Sequence, residues 1–299
     1  MRTVRWRCGV LFSGVIALCG MTVRSQTIGR GATGPHQSPA SDVHPAIYVA
    51  RVMAVSATGK GVFLACMRQS GVPLWHRLKQ DGLLIDQSVF ETTSVEKSAA
   101  GVPRWNFLVL SHLAPSITPE TFFKAEGRGG GQRVGTTPCD APGVETRRVE
   151  VLHSTPNSYY PSLASSDRDA NAPEFIVPYI VEYIAVRNTS AALDQYRETM
   201  RSNIGPAVGQ LIRDNWFVNL IALETVSVVY TQPTMPSWNQ IHIRGYFPEK
   251  GATPAALDEA LRRVNPQSGG YAGVFAPLDA IRTWAREDVA RPLRELAVR

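Results

Sequence analysis

The sequence lacks every short signature that announces a known chemistry. It has no C-x2-C pair, no H-E-x-x-H string and no G-x-S-x-G elbow. Zinc ribbons, helical zinc proteases and elbow-type serine hydrolases need ligands or a nucleophile at those spacings, so none is supported. The glycine run 127–131 lacks the Gly-Lys-Ser/Thr ending of a phosphate loop and reads as a flexible loop. Beyond the first 20 residues no apolar run approaches the roughly 18 residues that a membrane helix needs. Clustered basic charge is also absent. Arg147-Arg148 and Arg262-Arg263 stand alone and read as solvated faces, so no nucleic-acid partner is expected.

Cysteine is scarce, and its placement matters. The chain has four, of which Cys8 and Cys19 fall in an N-terminal stretch with Arg2, Arg5 and Arg7 ahead of an apolar run, Val10–Gly20. Residues 1–25 read as a signal peptide cut before Gln26, which predicts a periplasmic or extracellular protein. The whole chain is +6 and the leader holds four arginines and no acid, so the remainder is +2. Cys66 and Cys139 then remain. A buried free thiol at Cys66 is the expectation, with a bridge to Cys139 the alternative that export permits. Residues 26–46, rich in Gly, Ser and Pro, read as a tether.

What the sequence does have is an internal repeat. Residues 71–116 align without a gap on residues 204–249, at an offset of 133. The shared skeleton includes Pro73/Pro206, Asp81/Asp214, the E-T-x-S-V strings from Glu91 and Glu224, and the P-x-W-N strings holding Trp105-Asn106 and Trp238-Asn239. A repeat of this length implies two copies of one supersecondary unit around a shared core.

Each copy reads as β-α-β-β-α-β. Valine-rich or aromatic runs predict strands over 48–56, 83–95, 104–113 and 145–154, then over 175–186, 216–230 and 239–247. Gly71-Val72-Pro73 and Gly205-Pro206 read as helix breaks. Thr118-Pro119 and Thr253-Pro254 read as helix starts, Thr capping and Pro first inside. Tyr271–Phe275 is the only candidate for the eighth strand. Leu278–Leu296 carries an apolar stripe at helical spacing and predicts a C-terminal helix. The first repeat is thus 47–154, the linker 155–174, the second repeat 175–276, and the last helix 277–299.

Two such units in one chain resemble the dimeric α/β-barrel superfamily, whose unit is ferredoxin-like. The resemblance implies an α+β protein in which two four-stranded antiparallel sheets face each other with helices outside, and a barrel that can hold a small ligand. Some two-unit members hold haem through a histidine of the C-terminal half. Here the last histidine, His242, falls on a strand and the later helices have none, so no cofactor is expected.

Strand alternation sorts Trp238, Gln240, His242, Arg244 and Tyr246 onto the barrel face and Asn239, Ile241 and Ile243 onto the helix side. Trp105, Phe107, Val109 and Ser111 fall on the barrel face of the first half. His242 with Arg244 is the catalytic candidate, as a base and an anion clamp. Trp105, Trp238, Gln240, Tyr246, Glu91 and Glu224 are ligand-binding candidates, although the repeated Glu91 and Glu224 serve equally as structural residues. His76 and His112 read as surface or capped histidines. No metal site is expected. Three functions follow: an exported protein binding a small, partly apolar molecule in the barrel, a cofactor-independent oxygenase, isomerase or lyase using His242 and Arg244, or an interaction module docking through the last helix. No segment after the leader is expected to enter a membrane, and the oligomeric state is not readable.

Overall fold

The structure is a computed structural model that describes residues 45–128, 139, 141–155, 177–250 and 253–299. The expected signal peptide and nearly all of the expected tether and linker lie outside the described residues. Among the described residues there are eight strands: β1 Ile47–Val55, β2 Leu84–Ser98, β3 Phe107–Leu113, β4 Val144–Ser154, β5 Tyr179–Val186, β6 Phe217–Thr231, β7 Gln240–Tyr246 and β8 Arg282–Pro292. They close into an antiparallel barrel in the order β1-β3-β2-β8-β5-β7-β6-β4. Each half contributes a ferredoxin-like sheet, β4-β1-β3-β2 and β8-β5-β7-β6, and the halves join at β2–β8 and β4–β6. This is the dimeric α+β barrel fold, with both halves in one chain.

Helices cover the outside: α1 Lys60–Cys66, α2 Val72–Gln80 and α3 Pro119–Phe123 on the first half, then α4 Ser190–Thr199, α5 Gly205–Arg213, α6 Pro254–Val264 and α7 Gly270–Asp279 on the second. The Thr-Pro starts behave as their chemistry dictates, since Thr118 accepts from the Thr121 N–H and Thr253 from the Ala256 N–H. The expected helix breaks are not breaks. One π-turn, Met67–Gly71, carries α1 into α2, and its twin, Met200–Ile204, carries α4 into α5. Pro73 and Pro206 sit just inside the following helices, where the wider i→i+5 spacing leaves no N–H for proline to lack.

Two expectations at the C-terminus fail. Tyr271–Phe275 is helical, inside α7, and 282–292 is strand β8 rather than helix. The apolar spacing of Leu278, Ile281, Ala285, Val289 and Leu293 was a coincidental stripe, and Pro292 falls where a helix interior could not keep it. Without β8, the edges of β2 and β5 would carry unpaired backbone groups, and the barrel could not close.

The core has three layers. The inner one draws on both halves, with Tyr48, Val52, Phe90, Trp105, Tyr183, Leu223, Trp238, Ile241 and Ile243 among its buried members. Two outer layers lie between sheet and helices, one in each half. Cys66 and Cys139 form a disulfide, Cα–Cα 5.7 Å, tying the end of α1 to the segment ahead of β4. The free-thiol expectation is thus replaced by its alternative. Among the described residues no helix is long and apolar enough to cross a membrane.

Candidate functional site

The repeated strings build the inner core. Trp105 and Trp238 meet there at 5.7 Å between ring centroids, with Tyr183 edge-on to both. Each indole lies under a guanidinium at 4.0 Å, Arg286 over Trp105 and Arg148 over Trp238. Each arginine donates to the indole residue's own carbonyl and pairs with a buried acid two residues along its strand, Arg286 with Asp288 and Arg148 with Glu150. The Thr of each E-T-x-S-V string donates to that acid, Thr92 to Asp288 and Thr225 to Glu150. Asn106 and Asn239 exchange paired bonds with the backbone of Val55 and Val186. The P-x-W-N residues are therefore structural, and Trp105 and Trp238 fill the barrel interior in which a ligand was expected.

The strand faces are the reverse of the expectation. Ile241 and Ile243 point into the barrel, and Gln240, His242 and Arg244 lie on the outer, helix-covered face. Phe107 and Val109 are likewise outside, in the first half's outer layer. Alternation counted from Trp238 fails because Trp238 precedes β7 and the chain bends at Asn239, so the phase changes there.

On that outer face, under α4, is a cleft of about 330 Å3 lined by His153, Thr155, Tyr196, Met200, Glu224, Gln240 and His242, with Asp194, Arg197, Glu198 and Arg201 at its helical rim. Its volume is at the small end for ligand sites. Glu224 and Gln240 are cross-strand partners, as are Glu182 and His242. Tyr196 Oη lies 3.2 Å from His242 Nε2, and His242 Nδ1 lies 3.5 Å from Glu182 Oε2. Arg244 holds the other Glu182 oxygen at 2.8 Å. Burial pushes Glu182 up, yet Arg244 first, and His242 after it, bring its carboxyl down from 4.5 to about 2. It stays ionised and can only accept, so His242 Nδ1 carries a proton and Nε2 is left to take the Tyr196 hydroxyl proton. Burial holds the Tyr196 phenol well above its usual range.

Two groups in the cleft have no partner. Gln240 is 1 % exposed; its amide lies close enough to Glu224 to favour the carboxylate, but neither its Oε1 nor its Nε2 has a partner within hydrogen-bond geometry. The buried Thr155 hydroxyl is also without one. Glu224 is engaged by two of the three Arg197 nitrogens, Nε at 3.0 Å and Nη2. Burial raises its carboxyl, but Arg197, helped by the neighbouring Gln240 amide, brings it below its ordinary value. A buried amide with nothing to bond costs about 1–3 kcal/mol, an expense usually tolerated where something binds.

Of the expected site residues, the cleft gathers Gln240, His242 and Glu224. Arg244 stands behind it on Glu182. Tyr246 packs into the outer layer of the second half. Glu91 lies on the first half, paired with Lys60 and Arg291. His76 is exposed, whereas His112 is buried, 3.0 Å from Asp86 and stacked on Tyr48. Tyr196, Thr155, His153 and Met200 were missed. The repeat could have found Tyr196 and Met200, since extending it toward the N-terminus pairs Phe63 with Tyr196 and Met67 with Met200.

No protein-family model and no curated protein matches the chain. Solved structures similar to it include an anthrone oxidase-like protein, 12% identical with a TM-score of 0.47, covering 84% of this chain and 94% of that one. Others are a putative dyp-type peroxidase from Shewanella oneidensis, 11% identical, TM-score 0.45, 84% and 94% covered, and a variant of DypB from Rhodococcus jostii RHA1 in complex with heme, 10% identical, TM-score 0.41, 84% and 94% covered.

The three expected functions are corrected. The barrel interior is filled by the Trp105–Tyr183–Trp238 cluster, Arg244 does not line the cleft, and the segment of the supposed docking helix is β8. The similar structures are an anthrone oxidase-like protein, a dyp-type peroxidase protein and DypB, the last in complex with heme. Haem held through His242 does not fit this site either. Both His242 nitrogens are engaged, and no helix of the second half carries a histidine.

Proposed function

We propose that the protein is an enzyme whose working site is the outer cleft of its second half, and that an organic molecule docks there on Gln240 and Thr155. The observation that carries this reading is the buried, unpartnered Gln240 amide beside the Tyr196–His242–Glu182 chain. Three groups in line, an ionised acceptor, an imidazole and a phenol, form a proton relay of the kind that general-base catalysis uses. A donor on the bound molecule would pass its proton to Tyr196 Oη as the phenol's own proton moves to His242 Nε2. Glu182, held by Arg244, then balances the imidazolium. Export to an oxidising compartment belongs to the same proposal and is supported by the Cys66–Cys139 disulfide.

The test is nuclear magnetic resonance of the His242 ring during titration with phenol and catechol. The expected result is a shift of both ring nitrogens in the parent protein that disappears in Gln240→Leu and Tyr196→Phe. If neither compound moves a cleft resonance, or if Gln240→Leu responds like the parent, the reading is wrong.

A further inference from the structure

The first half carries its own picture of what the cleft accepts. In that half, Glu91 is the repeat counterpart of Glu224, and the ammonium of Lys60 sits on it. Lys60 comes from α1, the counterpart of α4. At the matching position, 133 residues on, the chain has Leu193, which is half-buried and packs into the outer layer. The second arm on Glu91, Arg291 of β8, corresponds to His153 of β4, which is cross-strand from Glu224. The second half therefore keeps the carboxylate, loses the lysine, and has a cavity and an unpartnered amide beside it.

The remaining groups sort by what they can still do. Arg197 spends its guanidinium on Glu224 and Asp194, and Arg201 spends its own on Glu198. Each fork already holds a carboxylate. Glu224 keeps free lone pairs, because each carboxylate oxygen accepts more than one donor. If Gln240 turns its Nε2 to Glu224, its Oε1 remains an acceptor with nothing to accept from. His153 Nδ1 donates to the Ser154 carbonyl. Tyr196 donates to His242, and Arg282 lies against its oxygen, which keeps one lone pair to accept with. The lining thus wants donors, and it holds three carboxylates, Asp194, Glu198 and Glu224, against the two guanidiniums of Arg197 and Arg201. Met200 and the Tyr196 ring give it an apolar wall.

We propose, resting on the reading of the cleft as the working site, that its substrate class is a primary amine with a flat apolar body, whose ammonium lodges between Glu224 and Gln240 Oε1 as the Lys60 ammonium lodges on Glu91. The preference is for a cation over a neutral alcohol, and for either over a carboxylate. The reverse preference for acids, suggested by a clamp of His242 with Arg244, has no support in this geometry.

The experiment is calorimetric titration with three compounds of one shape, phenethylamine, phenethyl alcohol and hydrocinnamate, on the full chain. A desolvated, charge-assisted contact predicts that the amine binds about tenfold or more tighter than the alcohol, with the acid weakest. Leu193→Lys restores the first half's own ammonium and is expected to weaken amine binding by about tenfold or more while leaving the melting temperature close to that of the parent. Glu224→Gln gives a second check with the same direction. Tightest binding by hydrocinnamate, lost in Gln240→Leu, would overturn the amine class and leave the working site intact. Unchanged amine binding in Leu193→Lys would also overturn the class. Failure of all three compounds to bind in the cleft would sink the working site itself.

Discussion

Phe63 and Phe107 close the outer face of the first half, meeting edge to face at 4.9 Å. Tyr196 and Gln240 occupy the same two places 133 residues later and leave the second half open beneath its helix. Val109 likewise becomes His242, and Lys60 becomes Leu193. The inner faces did not diverge in this way. Both halves keep an indole under an arginine, a threonine on a buried acid and an asparagine pinning a strand end. A closed barrel shares its interior between the halves, so a change to either inner face is felt by both. An outer face answers only to its own helices, and one copy was free to open there while the other stayed sealed.

The inner symmetry is also where the largest effects are expected. Arg148→Met would strand Glu150, which is fully buried, with only Thr225 and the Trp238 N–H for company. Uncompensated buried charges cost about 3–5 kcal/mol. Arg286→Met strands Asp288, but burial already raises that carboxyl above its ordinary value despite Arg286, so it takes up a proton more readily. Urea unfolding should show the smaller loss for Arg286→Met, and the gap between the two variants should widen from pH 7 to pH 5. Equal losses at both pH values would make the two buried pairs equivalent and remove this asymmetry.

A second difference lies on β5. Glu182 has Arg51 as its counterpart on β1, so only the second half carries a depressed carboxyl there. Its folded value of about 2 lies below the ordinary 4.5. The stability it contributes is fully present above 4.5 and is lost as pH falls from there to about 2, to the extent of about 3 kcal/mol. Glu182→Gln should therefore be less stable at neutral pH and show a flatter acid limb over that window. An acid limb identical to the parent's would mean that Glu182 titrates normally.

The fold was legible because duplication writes itself into spacing. A strand-rich pattern, Thr-Pro starts and an offset of 133 residues were enough to place two ferredoxin-like units in one barrel. What misled was local coincidence. Leu278, Ile281, Ala285 and Val289 follow a helical stripe, although Arg286 and Asp288 alternate inward as a strand would have them. Phasing β7 from Trp238 put its faces the wrong way round, since only backbone geometry shows the turn at Asn239. Gln240 and His242 stand on the expected strand but on the other side of the sheet, and Glu224 joins them from β6. Tyr196 was invisible because a tyrosine on an amphipathic helix looks like core until its phenylalanine twin is set beside it.

The finest test of the comparison exchanges the two outer faces. Gln240→Phe places in the second half the residue that seals the first. It replaces a buried amide that bonds to nothing with a side chain of similar reach that needs no partner, and such a swap is neutral or stabilising. With Tyr196→Phe beside it, the pair reproduces Phe63 and Phe107. The expected gain is about 1 kcal/mol in thermal unfolding, together with complete loss of ligand binding, the usual trade between stability and a functional site. The opposite change, Phe107→Gln, would bury an amide against Phe63 and should lose about 3 kcal/mol or more without creating a site, because the first half lacks the Tyr–His–Glu chain. If Gln240→Phe is instead destabilising by as much as Phe107→Gln, the amide has a structural partner in solution, and the second half is as closed as the first.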